Sequence, residues 1–163
     1  MGRWDNGVFD SDDALDWISE LEERGLEAGI KQTLNDLQRN FRNRNLEIPD
    51  CEISVALATT VAVLSGMTEP EDMPKDLAAL IASNDYKPDP EIISESLRFL
   101  LYSYSEESEI MAEGVWGSQA DMREWMNASA PSLSHLKNLV METGAMKRHA
   151  NKEGKSRRGC LWF

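Results

Sequence analysis

Between Ile53 and Leu64 the chain is apolar on nearly every side, with Ile53, Val55, Ala56, Leu57, Val61, Ala62, Val63 and Leu64 leaving no polar stripe at helical spacing. A helix with no face to give to water is stable only when other elements wrap it. The stretch contains Ser and Thr and is well short of the roughly 20 residues that cross a bilayer. It is therefore expected to be the centre of a helical bundle, with no membrane span in the chain.

The flanking segments supply one-sided stripes that fit around such a centre. Residues 11–23 place Ala14, Leu15, Trp17, Ile18 and Leu21 together behind Asp10 or Ser11, either of which can cap the free amides of a first turn. Gly25 breaks that segment. Ile30, Leu34, Leu37 and Phe41 then recur at steps of four, three and four, a single buried stripe with Arg39, Arg42 and Arg44 outside it. Pro49 and Asp50 open the central helix, from about Cys51 to Ser65, and Gly66 is placed to end it in the left-handed conformation. A short helix over 74–83 turns Leu77, Leu80 and Ile81 inward.

Asp89 before Pro90 is a start signal, because proline at the first helical position sacrifices no hydrogen bond. Ile93, Leu97, Leu100, Leu101 and Tyr104 form the stripe that follows. Around Gly114 and Gly117 the pattern blurs, with Ile110, Val115 and Trp116 as core contributors. Met122, Trp125 and Met126 predict one more helix, and Pro131 starts the last, with Leu133, Leu136, Leu139 and Val140 inward. Strand signals are nearly absent. The expectation is an all-α, compact bundle of about six to seven helices with a basic C-terminal tail, divided as an acidic helical domain at 1–146 and a tail at 147–163.

Charge follows the same division. Lys147, Arg148, Lys152, Lys155, Arg157 and Arg158 against Glu153 give residues 147–158 a charge of +5, which leaves −17 on the rest of a chain whose net charge is −12. Phosphate contacts need a basic surface, so nucleic-acid binding by the main domain is disfavoured and a protein partner with a basic surface is favoured. The plainer account of the acids is a set of solvated helix faces that keep the protein soluble. No secretory leader is visible after Met1, Gly2, Arg3 and Trp4, and the expected location is the cytoplasm. Cys51 and Cys160 are too few for a disulfide framework and too far apart for a metal knuckle, so both are expected to be reduced.

The opening residues carry the most specific pattern: Met1, Gly2, Trp4, Gly7, Phe9, Asp10, Asp12, Asp13, Ala14, Asp16 and Trp17. This resembles the start of the bacterial domain-of-unknown-function family numbered 4259, which begins Met-Gly-x-Trp-Gly and continues through Gly-x-Phe-Asp-x-Asp to Ala-x-Asp-Trp. Asp5 stands where that family usually has glycine. The coarser likeness, an alanine-rich central helix followed by others, extends to about residue 142 and leaves out the tail. The resemblance implies a small helical domain and brings no activity with it. Physically the motif reads as architecture. Gly2 and Gly7 allow tight backbone paths, Trp4 and Phe9 can insert into the core, and Asp10, Asp12, Asp13 and Asp16 sit where a helix dipole favours negative charge.

Little in the sequence carries chemistry. The early aspartates invite a metal reading, but Ala14 and Leu15 occupy positions where a calcium loop needs a ligand and a turn-forming glycine. Cys51 lies near a helix start, where a dipole can activate a thiol, yet neither His135 nor His149 is tied to it by any motif. A buried structural thiol is the expected role. Phosphate loop, nucleophile elbow and zinc pair are all missing. No catalytic residue, cofactor or metal is expected.

At the termini, Gly2 meets the first requirement for myristoylation, whereas Asn6 stands where Ser or Thr is needed. The chain finishes Cys160, Leu161, Trp162, Phe163, which has the length and terminal Phe of a geranylgeranylation box behind a polybasic segment, with Trp162 at a position that is normally aliphatic. The leading expectation is a non-catalytic protein-binding domain of immunity or inhibitor type. The alternatives are a peripheral membrane protein or effector, anchored by prenylated Cys160 in a eukaryotic host, and a metal-dependent hydrolase.

Overall fold

The computed structural model describes the backbone of residues 5–157 and the side chains of residues 5–144. Among the described residues six α-helices follow one another: α1 (Asp12–Arg24), α2 (Leu26–Asn43), α3 (Ile48–Leu64), α4 (Lys75–Ala82), α5 (Pro90–Ser103) and α6 (Gln119–Arg157), with one 3-10 turn at Glu109–Met111 before α6. No β-strand occurs among the described residues. The chain is an all-α bundle, and α3 lies at its centre, in contact with α1, α2, α5 and α6. Every residue of α3 from Ser54 to Ala62 is buried, as are Cys51, Glu52 and Leu64. The apolar run thus does what its composition requires.

Local chemistry sets the helix ends. Ser11 caps α1, its Oγ accepting from the Ala14 amide at 3.2 Å, which resolves the choice between Asp10 and Ser11. Gly25, at φ 84°, separates α1 from α2 in a conformation that side chains rarely adopt. After α3 the amide of Met67 donates to the Ala62 carbonyl at 2.9 Å and that of Gly66 to Val63 at 3.0 Å, the paired bonds of a Schellman ending with Gly66 at φ 102°. Asp89 caps α5 by accepting from the amides of Glu91 and Ile92, both at 2.9 Å, with Pro90 at the first helical position.

Asp50 does more than open α3. It accepts from the Glu47 amide at 3.1 Å, from Asn40 Nδ2 at 3.0 Å and from Arg44 Nη1 at 3.2 Å. One carboxylate therefore holds the end of α2 against the start of α3.

The structure corrects the sequence reading in two respects. Residues 119–157 form one helix, so Pro131 lies inside α6 and does not begin a separate one. The proline removes the bond to the Asn127 carbonyl, but Asn127 and Pro131 both lie on the exposed side, where water can take up that carbonyl. Packing on either side of the proline holds the helix: Trp125, Ser129, Ser132 and Leu136 are all buried.

The second correction concerns four residues expected to point inward. Leu15 (39 % exposed), Phe41 (36 %), Leu101 (42 %) and Val115 (37 %) reach the surface. Leu15 and Leu101 stand at the edges of their stripes, and Phe41 is in the last turn of α2, where Phe99 and Tyr102 cover only part of its ring. Val115 follows Gly114 in the loop before α6. Spacing finds the direction of a stripe, whereas its width depends on what packs beside it.

Candidate functional site

The amino-terminal pattern folds into an entry loop and cap. Gly7 donates its amide to Asp10 Oδ2 at 2.7 Å, and a Cβ at Gly7 would overlap that oxygen while approaching Asp72 Oδ2 to 3.0 Å. A side chain at position 7 would have to push the Asp10 carboxylate aside. Val8 and Phe9 enter the core directly behind it. Trp17 is buried, and its indole N–H donates to Thr33 Oγ1 at 2.8 Å, whose hydroxyl donates in turn to the Gly29 carbonyl at 2.8 Å. That chain of bonds fixes α1 on α2, and a Cβ at Gly29 would displace Leu21 Cδ2, which lies 2.5 Å from where it would stand. Trp4 lies outside the described residues.

Outside this core, α1 presents carboxylates. Asp12 and Asp13 occupy the first turn, where the helix dipole favours them. Asp16, Glu20 and Glu23 continue along the exposed side at steps of four and three. These three make no ion pair with another described residue, unlike Glu27, Asp36, Glu47 and Glu95, each of which is held by a neighbouring Lys or Arg. Exposed Leu15 lies on the same helix. The outer side of α1 thus carries Asp16, Glu20 and Glu23, without an ion pair among the described residues, and the exposed apolar Leu15.

Cys51 sits in the first turn of α3 with no exposed surface. Burial pushes its thiol up to about 11, against smaller downward pulls from the Ser103 hydroxyl and the Ile110 amide. A nucleophile needs the opposite shift. The described histidine is also at the wrong end: His135 Nε2 lies 3.2 Å from the carbonyl of Ser65, just past the C-terminus of α3, about 20 Å along the helix from Cys51 by helical rise, while the side chain of His149 lies outside the described residues. No proton can pass between the two directly.

Among the described residues no group of three or more His, Cys, Asp or Glu converges closely enough to hold a metal ion. Nor is any helix, among those residues, long and apolar enough to cross a membrane.

Sequence spacing gave no sign of the polar bonds inside the bundle. Ser132 Oγ donates to Thr59 Oγ1 at 2.9 Å between α6 and α3, and the Tyr104 hydroxyl bonds Ser129 Oγ between α5 and α6. Trp125 is enclosed by Tyr104 and Trp116, with ring centroids 5.6 and 5.2 Å away. These bonds position helices against one another. Lys147, Arg148, Lys152, Lys155 and Arg157 belong to the final turns of α6, of which the backbone alone is described, while Arg158 and Cys160 lie outside the described residues.

The model of a family described as "Domain of unknown function (DUF4259)" matches residues 2–128. No curated protein and no solved structure matches the chain.

Proposed function

The chain belongs to the DUF4259 family, and from that premise we propose that it is a cytoplasmic, non-catalytic protein-binding domain of immunity or inhibitor type, whose acidic helical surface covers a basic partner. The observation that carries this reading is the row of Asp16, Glu20 and Glu23 on α1, exposed and without ion pairs among the described residues. Carboxylates already neutralised within their own helix offer a partner little. Free ones set a local potential that speeds encounter and selects for positive charge. Leu15 adds an apolar contact beside them. The raised thiol of Cys51 and its distance from His135 favour binding over catalysis.

The test is capture from the native host with the full chain at low salt, compared with the Asp16→Lys, Glu20→Lys, Glu23→Lys triple variant. A basic protein retained at one-to-one stoichiometry, lost near 0.5 M salt and captured at least about tenfold less by the triple variant, is the expected result. Recovery of no stoichiometric partner, or equal capture by the triple variant, refutes it.

A second reading rests on the segment beyond the family match. Residues 147–158 carry +5 and precede Cys160 in a four-residue ending, so a prenyl chain and a polybasic run would supply the two signals that stable membrane anchoring needs. Mass spectrometry after expression in eukaryotic cells decides it, since an unmodified Cys160 removes the anchor.

A further inference from the structure

The face formed by α2 and α5 carries opposite charge at its two ends. The helices run side by side in the same direction. Lys31, Asn35 and Gln38, from the first half of α2 into its second, share a groove of about 270 Å³ with Asp89, Glu91 and Glu95 at the start of α5, and near the ends of both helices Phe41 meets Phe99 and Tyr102. Both N-termini are therefore at one end of the face and both C-termini at the other. Arg42 continues the stripe of Lys31, Asn35 and Gln38 by one more step of four, and Leu101 lies ten residues beyond Glu91 on α5, about 15 Å further along.

Most charges on this face are already neutralised locally: Lys31 by Glu27 at 2.6 Å, Arg39 by Asp36 at 2.7 Å and Arg98 by Glu95 at 2.6 Å. Three are not. Asp89 and Glu91 at the acidic end and Arg42 at the basic end are exposed and form no ion pair with any described residue. The basic end is also apolar, with Phe41 36 % and Leu101 42 % exposed, and the Arg98 guanidinium 4.5 Å from the Phe99 ring centroid and 5.7 Å from that of Phe41. Aromatic side chains beside arginine are enriched at the centre of protein interfaces.

The occupant that fits is a second copy of this chain. With a net charge of −12, two copies repel across most of their surfaces, whereas this face keeps its unpaired anions, Asp89 and Glu91, at one end and the unpaired cation Arg42 at the other. A two-fold axis perpendicular to the helices lays the acidic end of one copy on the basic end of the other, so a single contact is made twice. We infer that the chain associates with itself through the α2–α5 face, antiparallel, with Arg42 of each copy against Glu91 of the other and with Phe41 and Leu101 covered in the contact. Two helices of this length reach only the low end of the area that stable interfaces bury. The dimer is accordingly weak and salt-sensitive.

Sedimentation equilibrium of the purified full chain, alone, over about 10 to 200 µM at low salt and again near 0.5 M salt, tests this independently of any basic partner. Dimerisation is expected at low salt and is weakened at least about tenfold by Arg42→Glu or by Glu91→Arg. The double charge swap R42E/E91R should restore it to within about threefold of the original, a recovery that only direct pairing of the two positions gives. All three positions to be changed, Arg42, Glu91 and Leu101, are exposed, and circular dichroism checks that each variant is folded. Leu101→Asp should abolish the dimer without using the charge pair. A wild-type chain that is monomeric at 200 µM and low salt overturns the inference. So does a dimer indifferent to the single reversals and to Leu101→Asp, or one that the double swap fails to restore.

Discussion

Raising the pH from 8 to 11 in a Cys160→Ser background, where Cys51 is the remaining thiol, measures how dry the centre of the bundle is. Cys51 has no exposed surface, and its pKa is pushed up to about 11 from 9.0, chiefly by burial. At pH 8 such a thiol is on the order of 0.1 % thiolate, against about 10 % for an ordinary one, so iodoacetamide should react about 100-fold more slowly from ionisation alone. Covering of the sulfur slows it further, because reagent must wait for local opening. The same shift makes stability depend on pH. Below about pH 9 the thiol is protonated in folded and unfolded chains alike, and the stability linked to it is present in full. Between about 9 and 11 the unfolded chain releases a proton that the folded chain retains, so stability falls as pH climbs through that window, by on the order of 2 kcal/mol. Urea melts at pH 8 and 10.5 read the loss, and Cys51→Ala in the same background subtracts the titration of Lys and Tyr. Rapid labelling of the native protein at pH 8, or an equal pH dependence in Cys51→Ala, would refute the reasoning.

Asp50→Ala should lower stability by about 2 kcal/mol, and the melting temperature by about 6 °C, because it removes the acceptor of two bonds that join α2 to α3 and of a third that caps α3. Thermal melts check this, and a change within 1 °C contradicts it. Ser132→Ala is expected to cost about 1 to 2 kcal/mol by leaving the buried Thr59 hydroxyl without its donor, while the double variant Thr59→Val, Ser132→Ala should recover most of that loss; denaturant titration of the four-protein cycle gives the coupling. Gly7→Ala should destabilise by about 1 to 3 kcal/mol, since a Cβ there overlaps Asp10 and crowds Asp72, and Asp10→Ala should relieve part of the clash when combined with it.

Much of the fold was legible because each helix announces itself in a short window. Ser11, Gly25, Gly66 and Asp89–Pro90 act on amides and carbonyls within a turn of themselves, and they mark helix ends in the structure as the sequence suggests. Pro131 was misleading for the opposite reason. Its local preference to start a helix was overridden by the burial of Trp125 and Ser129 before it and of Ser132 and Leu136 after it, contacts made with other helices. Of the candidate site, the acids of α1 were visible as letters. Which of them lack neutralising neighbours required the ion pairs of the folded chain.

The sequence by itself determined an all-α chain with a central helix, because an element apolar on all sides has no stable place except inside others, and because capping and helical spacing are properties of neighbouring residues. Tertiary structure alone decided the width of each buried stripe, leaving Leu15, Phe41 and Leu101 at the surface. It also decided the reach of Asp50 to Asn40 and Arg44, the meeting of Ser132 with Thr59, and the separation of Cys51 from His135. Each of these depends on which helices lie side by side, a relation between residues distant in the chain that no local window contains.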